Sequence, residues 1–333
     1  MFIVSSYSLA VFLCFITMLC WGSWANTQKL ATLKWPYQLY YWDYTIGVVL
    51  LSLILGLTVG SFGESGRPFI DDLMQADCSS YGAALAGGFI FNLSNLLLVA
   101  AIDIAGMAAA FPIGVGLALA LGVLINYINT PAGDPTLLTI GVLLVVAAII
   151  VQALASKRVS ESKGKNAKVG IIVAILAGVI MSFFYRFVAD SMSLNFSNPE
   201  IGKFTPYSAI FIFSLGVFVS NFLFNTYFMK RPINGEKSSY KEYFTKGTCG
   251  LHAVGILGGV IWSIGMALSI LAAEQAGPAI SYGLGQGATL IAAVWGVFIW
   301  KEFKGAPKGT NTYLTAMFLF FLTGLLTIIY AGL

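Results

Sequence analysis

Few side chains in this sequence could do chemistry, and most of them interrupt long apolar stretches. Asp43 stands between Trp42 and Tyr44, and Asp103 and Glu274 each sit just before a new apolar run. Arg186 and Asp190 are spaced i,i+4. Uncharged amides fall deeper, at Asn92, Asn95 and Gln286, with Ser263 at a matching depth and the aromatic rings of Trp262, Tyr282 and Tyr185 nearby. Such groups bind rather than break bonds. Aromatic faces stack on flat rings or sugar faces, amides read hydroxyl or ureido groups, and a carboxyl can take up and release a proton. The alternative is structural, because amides also tie helices together and rings also fill cores. No Ser or Cys nucleophile has a visible partner. The lone histidine, His252, cannot build a zinc site and reads as a satisfied residue at a membrane edge. The four cysteines, Cys14, Cys20, Cys78 and Cys249, show no metal spacing and read as apolar filler. Neither a metal, a cofactor nor an enzymatic reaction is expected.

The elements that position these groups are membrane helices. Fifty-eight per cent of the 333 residues are hydrophobic and ten per cent charged, with a mean hydropathy of +0.85, whereas a soluble domain averages about 25% charged residues. A spanning helix needs roughly 20 apolar residues. That rule gives ten spans: 7–26, 41–61, 82–101, 104–128, 136–155, 169–188, 205–228, 251–272, 277–300 and 311–331. Met1–Ser6 lacks the positive region of a signal peptide, and the segment after it reads as the first span. Fifteen Lys and Arg fall in or beside the odd-numbered loops, against Arg67, Arg186 and Lys203 near the even ones. The positive-inside rule then makes the odd loops cytoplasmic and places both termini outside. The net charge of +4 is thus a topology signal, and no nucleic-acid partner is expected.

The chain also repeats itself. Gly87–Gly106 aligns without a gap on Gly258–Gly277 at an offset of 171, and the match extends to Gly114 with Gly285 and Gly116 with Gly287. A weaker echo sets Asp43-Tyr44-Thr45 against Pro206-Tyr207-Ser208 at offset 163. The hydrophilic stretch 156–168 divides the spans five and five. Five is odd, so the halves enter the membrane from opposite sides, as in many secondary transporters. The expected fold is an all-α membrane protein of two inverted five-helix repeats, 1–155 and 169–333, joined by a cytoplasmic linker, 156–168. Pro112 in span 4, with Gly283 as its counterpart in span 9, is expected to weaken or kink the helix beside a binding site. The glycines around them permit close helix packing.

These residues resemble a known family. The inverted 5+5 arrangement is similar to the drug/metabolite transporter superfamily, and the local motifs look like the ureide permease family and the glucose/ribose uptake porters. They are Trp42-Asp43-Tyr44-Thr45, the Gly-Gly-x5-Ser-Asn run Gly87–Asn95, the Ala- and Gly-rich Ala272–Gly287, and Trp295-Gly296 with Lys301-Glu302-Phe303. Trp21-Gly22-Ser23-Trp24 resembles a substrate-side motif of the superfamily, although interface anchoring also explains the two indoles. Plant ureide permeases carry a long central loop with a nucleotide-binding-like motif. Here that loop is short, and Gly164-Lys165-Asn166 lacks the rest of a P-loop.

The resemblance implies a secondary transporter in the cell membrane, working by alternating access on a small neutral polar metabolite such as a sugar or a ureide- or nucleobase-like compound. Trp21, Trp24, Asn92, Asn95, Tyr185, Trp262, Ser263, Tyr282 and Gln286 are the candidate substrate contacts. Asp43 is either a first-turn carboxylate in an aromatic belt or the proton-coupling site, the family likeness favouring the latter. Sodium is the alternative coupling ion. Asp103 and Glu274 either cap helix dipoles or form a pair of gates, one per face. Arg186 either pairs with Asp190 or reaches substrate from the outer vestibule. Monomer and homodimer are both compatible with one pathway per chain. An exporter of the same superfamily is the alternative function. A polytopic enzyme would need a cluster of Asp, His or Lys at one interface, and the chain has too few.

Overall fold

The computed structural model describes residues 1–63, 65–162 and 168–333. Ten helices in it are long and apolar enough to cross a membrane, so the protein is integral and multi-pass. In order, spans 1 to 10 are Tyr7–Thr32, Tyr37–Leu57, Cys78–Ala105, Ala109–Asn129, Pro135–Val159, Lys168–Ser191, Pro206–Lys230, Cys249–Ala276, Pro278–Ile299 and Thr310–Tyr330. Among the described residues there are no strands, only an isolated bridge between Met192 and Phe204. The helix of span 5 continues to Ser162, so half of the stretch read as a linker is helical. Residues 163–167 lie outside the described residues.

Local chemistry sets the helix ends. The Ser6 side chain accepts from the Leu9 amide at 3.3 Å and opens span 1. Thr248 does the same for span 8 through Leu251 at 3.3 Å. Each satisfies an amide that the first helical turn leaves free. The hairpins joining spans 3 to 4 and 8 to 9 turn on the repeat-equivalent Gly106 (φ 87°, ψ 159°) and Gly277 (φ 77°, ψ 153°). That backbone region is open only to glycine.

Two spans are discontinuous. Span 1 consists of helices Tyr7–Ser23 and Ala25–Thr32, which meet at Trp24. Span 9 is built from Pro278–Gln286, Ala288–Val294 and a π-helical turn, Trp295–Ile299. Neither Pro112 nor Gly283 interrupts its helix. Pro112 lies in the second turn of a continuous helix, Met107–Asn129. The break in span 9 comes one turn after Gly283, at Gly287, whose amide is shared between the carbonyls of Gly283 (3.2 Å) and Leu284 (3.0 Å).

Packing between the halves is reciprocal. Gly47 lies against Ile256 and Gly216 against Leu85; Gly259 lies against Tyr44 and Val48, and Gly88 against Phe213 and Val217. Adding 171 in span 3 and 169 in span 2 converts each contact into its mate. Ser52 and Ser214 share a hydrogen bond of 2.7 Å, and Asn221 donates to Thr45 at 3.4 Å. The same offset of 169 exchanges these two bonds. It replaces the echo at 163, so the counterpart of Tyr44 is Phe213 rather than Tyr207. Spans 2 and 7 therefore pack antiparallel, consistent with inverted repeats.

The loops sort onto two faces. On the basic face Lys29 pairs with Glu302 at 2.5 Å, Arg158 donates to the Lys308 carbonyl, and Trp35 packs on Tyr243 and His252. On the other face Arg67 donates to the Lys203 and Pro199 carbonyls, and the Phe196 amide donates to Glu274. Spans 5 and 10 stand at the side, with 28% and 33% of their apolar windows buried against 50–78% elsewhere. A central site must therefore be built from the other eight.

Candidate functional site

Spans 1, 3, 6, 8 and 9 near their middles, and span 4 near its start, surround a small cavity. Trp21 and Trp24 come from span 1, Phe91, Asn95 and Leu98 from span 3, Phe111 and Val115 from span 4, and Met181 and Phe184 from span 6. Trp262 and the span 9 residues Gln286 and Ala288 complete it. About 20 Å³ of water-accessible space remains, room for roughly one water molecule. That is too little space for a solute larger than water.

The walls are aromatic. Trp21 and Trp262 stack with centroids 5.7 Å apart and planes inclined by 11°, and the Trp21 indole N–H donates to the Trp262 carbonyl at 3.0 Å. Trp262 meets its repeat counterpart Phe91 at 4.4 Å, and Phe91 meets Phe184 at 5.1 Å. Trp24 packs on Tyr44 at 5.0 Å. Among the described residues that line the cavity none is ionisable, and the polar side chains are the two amides, Asn95 and Gln286, with the indole N–H groups. A ligand seated here meets flat π-faces and two groups that both donate and accept.

Five of the nine candidate contacts thus meet at one point: Trp21, Trp24, Asn95, Trp262 and Gln286. The other four bond helix to helix nearby. Asn92 donates to Ser220 at 2.9 Å, tying span 3 to span 7, and Ser263 reaches the Val48 carbonyl at 3.5 Å. Tyr185 contacts Ser269 and Ser281, and Tyr282 donates to the Met181 carbonyl at 3.3 Å. Tyr185 and Tyr282 also stack at 5.0 Å, forming a layer that closes the cavity from the non-basic face. A second layer closes the other side, where Tyr40 bonds Thr27 at 2.8 Å and Asn95 donates to Tyr41 at 3.1 Å. Phe91, Leu98, Phe111, Val115, Met181, Phe184 and Ala288 were not among the sequence candidates. Phe91 and Val115 carried a signal, as the repeat counterparts of Trp262 and Gln286 at offset 171.

Asp43 lies beyond that second layer, toward the basic face, and its side chain is 2% exposed. One oxygen accepts from the Tyr243 hydroxyl at 2.5 Å, and His252 Nδ1 lies 3.0 and 2.9 Å from the two oxygens. Tyr243 belongs to a short helix, Tyr240–Lys246, in the loop before span 8, which a Ser239–Glu242 capping box begins. Trp35 stacks on Tyr243 at 5.9 Å and meets His252 edge-on at 5.3 Å. Burial, and then the neighbouring Asp43, pushes the Tyr243 phenol well above the usual tyrosine range, so it remains a donor to the carboxylate. His252 is thus a hydrogen-bonded residue in the first turn of span 8, in keeping with the edge reading, but its partner is Asp43, and nothing in the local sequence joined these three.

The other candidates stand apart. Asp103 accepts from Asn234 at 3.2 Å on the exposed basic face. Glu274 holds the Phe196 amide at 2.7 Å on the opposite side, its second oxygen buried without a partner. Arg186 pairs with Asp190 at 3.4 Å, and Asn129 and Lys203 converge on the same aspartate.

The profile of the ureide permease family matches residues 145–331, more than half of the chain. This chain belongs to the ureide permease family. Its relatives are permeases and not enzymes. Ureide permease 1 of Arabidopsis thaliana is 23% identical, with 97% of this chain and 96% of that protein covered. Its alignment runs to 379 positions against 333 residues here, so the plant protein carries insertions relative to this permease. A probable ureide permease A3 of Vigna unguiculata is 22% identical over 81% of this chain and 89% of its own. A solved crystal structure superposes with a TM-score of 0.59 over 97% of this permease and 96% of that chain at 14% identity, which supports the fold alone.

Proposed function

We propose that this permease moves small, neutral, flat solutes of the ureide or nucleobase kind, driven by protons. One observation carries the reading: a cavity with stacked indoles on its walls and two primary amides as its side-chain hydrogen-bonding groups, with no charge among its described lining residues. An ionic cargo would find no counter-charge there. A ureido or imide edge offers N–H and C=O groups side by side, which an amide matches in both directions. A sugar would present more hydroxyls than two amides can satisfy, and each unsatisfied one costs about 1–3 kcal/mol.

The mechanism that fits is alternating access. The layers around Tyr185–Tyr282 and Tyr40–Tyr41 flank the cavity, and opening one while the other stays shut exposes the site to one side at a time. The basic face is assigned to the cytoplasm by the positive-inside rule, which puts Asp43 on the inner side of the cage and both termini outside. A proton taken up at Asp43 neutralises a buried charge and biases the exchange between the two states. One pH unit is worth about 1.4 kcal/mol, or roughly tenfold accumulation for one proton per solute.

The test is uptake into proteoliposomes with an imposed pH gradient, offering allantoin, uracil, glucose, ribose and rhamnose. Allantoin or uracil should accumulate about tenfold per pH unit and compete with each other, while the sugars compete weakly. Accumulation of sugars with neither flat solute would sink the reading, and uptake indifferent to the gradient would remove its proton half.

A further inference from the structure

Asp43 is buried, yet a coupling carboxyl must exchange its proton with water on the side it serves. Tyr243 meets it as a donor and stays protonated. Tyr40, on the same span, is fully buried and committed to Thr27, and Tyr44 is fully buried against Trp24 and Tyr41. Lys246 and Glu242 on the short helix pair with each other at its exposed side. That leaves His252, whose Nδ1 contacts both carboxyl oxygens and whose side chain is 28% exposed. Gly247 lies against the His252 Nε2 edge, and Gly255 lies against Asp43 Cβ. Any larger residue would enter the space that imidazole and carboxyl occupy.

We propose that His252 is the proton relay between Asp43 and the basic-face solution, with Tyr243 and Trp35 as positioning residues. The inference rests on the reading of Asp43 as the coupling site and deepens it. The transfer balances atom by atom. The carboxyl proton passes from Asp43 to His252 Nδ1, and the proton on Nε2 leaves to water. The carboxylate remains, held by the Tyr243 hydroxyl, and the ring is left as the other neutral tautomer. A ring turn or the reverse exchange with water resets it. Imidazole suits this work because both nitrogens can carry the proton and its ordinary pKa lies near neutrality.

The experiment compares wild type, Asp43→Asn, His252→Asn and His252→Ala in proteoliposomes, using allantoin counterflow without a gradient and uptake with one. Asparagine reproduces the Nδ1 donor but cannot relay. His252→Asn should keep counterflow within about twofold and slow gradient-driven uptake about tenfold or more. Free imidazole supplied on the basic-face side should restore much of the rate in His252→Ala. Uptake by His252→Asn at the wild-type rate across the pH range overturns the relay while leaving Asp43 in place. So does equal loss of counterflow and gradient-driven uptake without imidazole rescue, since that marks a structural residue. If Asp43→Asn still accumulates solute, the coupling reading fails and the relay falls with it.

Discussion

The central cage and the Asp43 cluster lie on successive levels of one pathway, and their chemistry is opposite. The cage is built from Trp21, Trp24, Phe91, Phe184 and Trp262, with amide groups and no ionisable side chain among its described lining residues. The cluster joins a carboxylate, an imidazole and a phenol within 3.0 Å, with Trp35 as its wall. A charge placed in the cage would lose its own hydration in a low-dielectric space, at high cost. The same charge one level away, beside a partly exposed histidine, can change its protonation without changing what the cage recognises. The separation implies that selectivity and coupling should be damaged independently by mutation.

The largest break is expected at the cluster. Asp43→Asn should abolish accumulation against a gradient while leaving allantoin counterflow and competition between solutes intact, measured on the same vesicles. The cage is the reciprocal case. Gln286→Leu removes an amide and leaves the solute group that it served without a partner, at about 1–3 kcal/mol. KM for allantoin should rise roughly tenfold to a hundredfold, with the pH profile of uptake unchanged. A shifted pH profile in Gln286→Leu, or altered selectivity in Asp43→Asn, would merge the two levels into one.

The sequence made the architecture legible and the site only half so, for a physical reason. Hydropathy and charge report the depth of a residue, and glycines at constant offset report the repeat; Gly106 and Gly277 do the same backbone work in both halves. Depth is not azimuth. Asn92 and Asn95 are less than one turn apart, yet Asn95 faces the cavity and Asn92 holds Ser220. Tyr185 and Tyr282 lie close to the right depth but stack on each other in the adjoining layer toward the non-basic face. His252 and Tyr243 are some 200 residues from Asp43 in sequence, and no periodicity announces a contact made through a loop helix. The break at Gly287 escaped for a related reason. Pro and Gly weaken a helix anywhere, but neighbouring packing decides where it opens.

A smaller effect tests whether the cage works by stacking or by shape. Trp262→Leu keeps an apolar side chain but removes the π-face that meets Trp21 and Phe91. A ring stacked on the solute contributes about 0.5–1.5 kcal/mol beyond its area. If Trp262 stacks on allantoin, KM should rise up to about tenfold, and Trp262→Phe should recover most of it. Equal behaviour of the two variants in a KM titration would show that bulk alone matters.

The mildest change is the most discriminating at the cluster. The Tyr243 hydroxyl donates to the charged form of Asp43 and remains protonated, because burial and the carboxylate both disfavour its own ionisation. Tyr243→Phe keeps the ring that stacks on Trp35 and deletes the donor. Losing a hydrogen bond to the carboxylate favours its neutral form, so Asp43 should hold its proton to a higher pH. The midpoint of the uptake–pH curve should move alkaline by up to about one unit, with KM for allantoin and the solute ranking unchanged. An acid shift would mean that the hydroxyl accepts from the protonated carboxyl rather than donating to the carboxylate.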